Sequence, residues 1–375
     1  MRTHAAIAVL TLLSIAAPAL AQTVHPTGSM MHARQGHTAT LLADGRVLVA
    51  GGRNEMEVPA VAEIFDERMQ SFSSNAALVV PRSDHTATLL ADGRVLIAGG
   101  IDEMGAIAAA EIYDPAMHSF TRVGDMMTPR VFHTATLLRD GRVLIAGGVG
   151  PMGMLMTAEI FDPVTDTFSM TPSMMLSRSK STATLLPDGR VLIAGGGVIT
   201  MMGMMEMMGM QQLDSSSEIF DPATGVFSVG APTMTYRSGH TATLLPNGTV
   251  FVHGGTSVDA LSEIFDPARG TFSTAAQMGA MRIGHTASLL PSGEVAVIGG
   301  ESMMAQMVSM IETFETPSRT FRAPAALMDP RVLHSAVTLP SGSVLVAGGV
   351  DASMMTVATA EIYTPAPVRR RAVRP

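Results

Sequence analysis

The chain has 375 residues, of which 47% are hydrophobic, 15% charged and 4% aromatic, with 36 glycines, 22 prolines, 32 methionines, no cysteine, no tryptophan and a net charge of −8. That apolar content excludes a disordered polypeptide, and glycine at that density excludes a predominantly helical one. Without cysteine there are no disulfides, thiolate metal sites, lipidated cysteines or cysteine nucleophiles, and the acidic balance argues against a nucleic-acid-binding surface.

At the N-terminus Arg2 precedes an apolar run over residues 5–17, and Ala19-Leu20-Ala21 has the small-x-small form of a signal-peptidase site. Residues 1–21 therefore read as a secretory signal cleaved after Ala21, which places the mature chain in the periplasm or outside the cell. The run is too short for a bilayer core of about 30 Å at about 1.5 Å per residue, and no other stretch predicts a transmembrane segment.

From Arg34 onward the chain repeats. Double glycines begin at Gly51, Gly99, Gly147, Gly195, Gly254, Gly299 and Gly348, and an arginine stands 17 positions before each, at Arg34, Arg82, Arg130, Arg178, Arg237, Arg282 and Arg331. Downstream comes a glutamate, at Glu63, Glu111, Glu159, Glu218, Glu263, Glu312 and Glu361; in the first six units a phenylalanine follows nine positions later, and the next arginine ten after that. A period near 50 marks a repeat architecture. Each unit predicts four strands: HTATLL, then RVLIAGG, then AEIFD, then a strand centred on the phenylalanine. Asp-Gly or Asn-Gly joins the first two, as at Asp44-Gly45, and is expected to form a turn with both residues at positive φ. Small residues crowd the first strand and branched aliphatics fill the second, as wedge-shaped sheets converging on an axis require. Gly51, Gly52, Gly99, Gly100 and the recurrent Arg and Glu are expected to be structural, the charges pairing within or between blades.

These strings and spacings resemble the Kelch family of β-propellers over essentially all of the mature chain, with Phe where that family usually has Trp. The resemblance implies an all-β, seven-bladed propeller of four-stranded antiparallel blades. Nine residues past Glu361 stands Arg370 instead of an aromatic, so the last blade lacks its fourth strand; ten residues before Arg34 stands Val24. Thr23 to Pro26 is therefore expected to close the ring, with residues 22–28 completing the last blade, residues 22–365 forming the propeller and residues 366–375 a solvated basic tail.

Function is sought where the repeat departs from its own symmetry. Six histidines (His37, His85, His133, His240, His285, His334) open first strands; a metal crown is one reading and hydrogen-bonded scaffolding the other, and their recurrence favours scaffolding. The fourth unit has Ser179-Lys180-Ser181 instead, and Lys180 is the only lysine. From double glycine to glutamate the separations are 12, 12, 12, 23, 9, 13 and 13, so length varies only between the second and third strands. Those loops and the inter-blade connections hold 28 of the 32 methionines and should share one face.

The longest loop holds Met201, Met202, Met204, Met205, Glu206, Met207, Met208 and Met210, with further methionines at Met152, Met154, Met156, Met303, Met304 and Met307. Flexible, polarizable thioethers suit a recognition surface for a protein or hydrophobic ligand. The run at Met201, Met204, Met205, Met207, Met208 and Met210 also resembles the methionine-rich segments of extracytoplasmic copper-handling proteins, with Cu(I) as the alternative ligand. The galactose oxidase family, related in fold, implies a third reading as a carbohydrate-active enzyme; its radical copper chemistry needs a Cys crosslinked to Tyr, and here there is no Cys and only Tyr113, Tyr236 and Tyr363. The expected molecule is an exported, monomeric, non-enzymatic binding scaffold that requires no cofactor.

Overall fold

The computed structural model describes residues 22–197, 215–255, 260–302, 304–322 and 324–367. Among them every regular element is a strand, and there is no helix long and apolar enough to cross a membrane. The first six repeats each form an antiparallel sheet in chain order, as in blade 1 with Thr38–Leu41, Val47–Ala50, Val61–Asp66 and Ser71–Ala77 and in blade 4 with Thr182–Leu185, Val191–Ala194, Ser217–Asp221 and Val226–Val229; the outer position of the sixth is split between Thr320–Phe321 and Ala325–Ala326. The first strands of successive blades touch one another around a complete ring, which makes the molecule a seven-bladed propeller.

The second strands are buried along their whole length, as their unbroken aliphatic runs require, because each sheet is covered on both faces by its neighbours. Leu48 and Ile64 of blade 1 pack on Val95, Ile97 and Tyr113 of blade 2, and an equivalent cluster fills every seam. The ring closes through the N-terminal strand Thr23–Pro26, which pairs with Ala360–Thr364 in the register Val24↔Tyr363. Placing both chain ends in one blade removes the open seam that a half-built sheet would leave.

The turn between the first two strands differs from expectation. Gly45 is left-handed at φ 87° and its amide donates to Leu42 O, but Asp44 has an ordinary negative φ. The connection is thus a type I turn closed by a left-handed glycine, and Asp44 contributes by accepting the Arg46 amide at 3.0 Å. The double glycines exist for close approach. A β-carbon on Gly51 would come within 2.5 Å of both Arg82 O and the His85 ring of the next blade, and Gly52 N donates to that same Arg82 carbonyl.

Short bridges such as Gln35↔Arg53 and Val131↔Val149 tie the segment before each first strand to the start of the second-to-third-strand loop. These two kinds of segment therefore share one face, here the loop face.

Candidate functional site

The recurrent charges are buried and pair within their own blade. Arg34 Nη2 lies 2.7 Å from Glu63 Oε1 and Arg130 Nη2 2.6 Å from Glu159 Oε1; Arg82–Glu111, Arg178–Glu218, Arg237–Glu263, Arg282–Glu312 and Arg331–Glu361 repeat the pair. The guanidinium also donates to the first carbonyl of the double glycine, as Arg34 Nη1 does to Gly51 O at 2.8 Å. The glutamate in turn accepts a backbone amide from the incoming connection, as from Met31 and Met127, each at 2.7 Å. Every blade thus clamps its own entry segment, and the charges are structural because each guanidinium is paired with its glutamate and a backbone carbonyl, although the Nε of Arg34, Arg130 and Arg282 is buried without a partner.

The six histidines stitch blades together. Each buried Nε2 meets a hydroxyl on the preceding blade's first strand: His37 with Ser335 at 2.8 Å, His85 with Thr38 at 2.9 Å, His133 with Thr86 at 3.0 Å, His240 with Thr182 at 2.9 Å, His285 with Thr241 at 3.2 Å and His334 with Thr286 at 2.9 Å. Burial, reinforced by the adjacent arginine, pushes His37, His133, His240 and His334 down to about 3, so the rings are neutral. Blade 5 adds His253, wholly buried beside His285 on the same Thr241. Blade 4 has Ser181 at the stitching position, so the seam between blades 3 and 4 has no such bond.

The methionines divide. In the connections the first of each pair is core: Met30, Met126, Met174 and Met278 are buried between blades, in the place that Leu78 and Leu327 take elsewhere. The second, Met31, Met127, Met175, Met234 or Met328, is exposed. The methionines expected on one face are therefore divided between core and surface within each connection, because only alternate side chains can face solvent along an extended segment. In the loops Met152 is 99% exposed, Met156 and Met304 are exposed, Met307 is half-buried, and Met154 is half-buried with its sulfur 3.6 Å from Ser179 Oγ. The loops of blades 3 and 6 stand three blades apart, so these methionines do not form one cluster. Met201, Met202, Met204, Met205, Glu206, Met207, Met208, Met210 and Met303 lie outside the described residues.

The strongest break in symmetry lies at the axis on the loop face, immediately before each stitching position. Gly36, Asp84, Phe132, Lys180, Gly239, Gly284 and Leu333 occupy this column, and all seven are left-handed, with φ between 51° and 66°. Glycine adopts that conformation freely, whereas each of the other four costs about 1–2 kcal/mol. Neighbours are joined by backbone bonds: Asp84 N to Gly36 O at 2.7 Å, Lys180 N to Phe132 O at 3.1 Å, Gly239 N to Lys180 O at 3.0 Å and Leu333 N to Gly284 O at 3.1 Å. Lys180 Nζ sits 5.0 Å above the Phe132 ring. Burial raises the Asp84 carboxyl pKa, opposed by the Ser83 hydroxyl and by the positive charges of Arg53 and Lys180. Lys180 was visible in the sequence as the only lysine. Asp84 and Phe132 were missed; the available signal was one column whose chemistry runs Gly, Asp, Phe, Lys, Gly, Gly, Leu inside an otherwise uniform repeat.

No family model matches the chain, and no curated protein matches it. Among solved structures it is similar to a fungal alcohol oxidase, described as having catalytic diversity among the AA5 family and solved in complex with copper, with a TM-score of 0.75 and 17% identity over 92% of this chain and 76% of that one. At that identity the likeness shows the fold. The residues of this chain do not supply the Cys–Tyr crosslink that the galactose oxidase resemblance would require. The six ring Nε2 atoms are engaged by hydroxyls, there is no cysteine, Tyr113 OH bonds Asn75, and Tyr363 OH bonds Thr313. Among the described residues no three His, Asp or Glu side chains converge to hold a metal ion.

Proposed function

We propose that the chain is an exported, non-enzymatic binding propeller that recognises a protein or hydrophobic ligand on its loop face. The observation that carries this reading is the asymmetry between the two faces. Exposed large apolar side chains, including Met31, Met104, Met127, Met152, Met175, Met234, Tyr236 and Met328, concentrate on the loop face. The opposite face instead repeats short turns with surface ion pairs such as Asp44–Arg46, Asp92–Arg94 and Asp188–Arg190. Its clefts, of about 510 Å³ by Asp44, Asp92 and Arg94 and about 280 Å³ by Asp140, Asp188 and Arg190, reproduce the same framework residues at two seams. Neutral, hydroxyl-bonded imidazoles are poor candidates for general bases, which weighs against an enzymatic reading.

The test is capture from a lysate of the native cells. Replacing Met31, Met127, Met175 and Met328 by Asp should abolish capture of any partner, whereas Asp at Met69 and Met117 on the opposite face should not; equal capture by both variants overturns the reading. Leucine at the first four positions should be tolerated, since volume and hydrophobicity are nearly kept. Soft-metal binding by Met201, Met204, Met205, Met207, Met208 and Met210 is the second reading, favoured by the density of thioethers there, and it predicts that leucine in that run is not tolerated.

A further inference from the structure

We propose that the axial mouth on the loop face is a binding site for a small zwitterion with an apolar body, of the class of a free amino acid. The inference rests on the binding reading above and adds a place and a ligand chemistry to it.

Three observations meet at this point. The first is charge. Asp84 on blade 2 and Lys180 on blade 4 occupy the same axial column on either side of Phe132, with Lys180 Nζ 5.0 Å from that ring, and among the described residues neither takes part in an ion pair. Two opposite charges on one rim that do not pair with each other match a ligand that presents the complementary charges, a carboxylate to Lys180 and an ammonium to Asp84. The second is the surface between them. Phe132 on blade 3 stands between the two charged blades, and Leu333, 47% exposed, lies across the ring, so an apolar ligand body has surfaces to cover. At Gly239 the mouth is open, since a β-carbon there would meet nothing within 4 Å.

The third is strain. Three blades place glycine in the left-handed column and four do not, although a glycine would serve the backbone equally well at all seven. Side chains kept where the backbone disfavours them, on a rim whose backbone is hydrogen-bonded as from Lys180 N to Phe132 O, are the arrangement found at binding sites fixed in advance of the ligand. Asp84 is further held by the Ser83 hydroxyl, 3.0 Å from Oδ2, and its Oδ1 packs where a β-carbon on Gly36 would stand.

The experiment is isothermal titration calorimetry of the full-length mature protein with L-phenylalanine, N-acetyl-L-phenylalanine, which lacks the ammonium, and L-phenylalaninamide, which lacks the carboxylate. The zwitterion should bind at one per chain, and each blocked form should bind at least tenfold more weakly. Lys180→Gly should reduce the affinity for L-phenylalanine at least tenfold while raising Tm, because glycine relieves the left-handed strain; Asp84→Asn should weaken binding without lowering Tm appreciably. Absence of saturable binding, equal binding of all three probes, or unchanged affinity in Lys180→Gly overturns the proposal. If L-phenylalanine fails to bind while Asp at Met31, Met127, Met175 and Met328 still abolishes partner capture, the mouth proposal falls and the loop-face reading stands. If the zwitterion binds and capture is unaffected by those substitutions, the outcomes reverse.

Discussion

Met126 and Met127 are adjacent in the chain and belong to different regions of the molecule. Met126, 4% exposed, is packed between blades 2 and 3; Met127, 67% exposed, offers its thioether to solvent and uses only its backbone amide, which donates to Glu159. The same split separates the inter-blade shell of Arg–Glu clamps, imidazole stitches and aliphatic seams from the rim of loops and axial residues. In the shell nearly every side chain is determined by a neighbour in its own or the next blade. On the rim the backbone is held by the shell, so the side chains are free to vary.

Acid breaks that comparison most strongly. Seven buried imidazoles are neutral in the folded protein, and four of them are lowered from 6.5 to about 3. Between those values the unfolded chain binds the protons that the folded chain refuses, so stability present above pH 6.5 is lost as pH falls toward 3. Each imidazole contributes at most about 1.4 kcal/mol per pH unit. Calorimetry should show Tm falling by ~10 °C between pH 7 and pH 5; a flat profile would mean that the stitches tolerate charge and that the shell is not what it is described to be.

Truncating the two methionines sharpens the comparison within one connection. Met126→Ala should cost about 2–5 kcal/mol in denaturant unfolding, from lost burial and a residual cavity. Met127→Ala should stay within about 0.5 kcal/mol, as surface changes do. Equal losses would show that the rim side chain is also packed. The smallest effect concerns the seam that lacks a stitch. Ser181→His should place an imidazole against Thr134 of blade 3 and add about 1 kcal/mol, the net worth of one hydrogen bond, read as a small rise in Tm. A fall in Tm would indicate that the blade 3–4 seam has closed around serine.

Much of this was legible in the sequence because a propeller repeats its local rules. The constant 17-residue interval from Arg34 to Gly51 reports a bond, Arg34 Nη1 to Gly51 O, and the missing phenylalanine after Glu361 pointed to Thr23–Pro26 as the closing strand. The candidate site was less legible. Lys180 stood out by composition, but Asp84 and Phe132 are distant from it in the chain and carry no motif; only the column in which they fall, and the φ they share, brings them together.

Periodicity and the small-residue constraint at the double glycines follow from contacts between consecutive segments and recur seven times, so the amino-acid string alone determined blade number, strand order and the way the ring closes. Which methionine of a pair is core, whether the clamps lie within or between blades, and which charges meet at the axis were decided only in three dimensions. Those outcomes depend on how one blade faces the next: Asp84, Phe132 and Lys180 fall in the same position of successive repeats, but the repeat does not say which way their side chains point or which neighbour they meet.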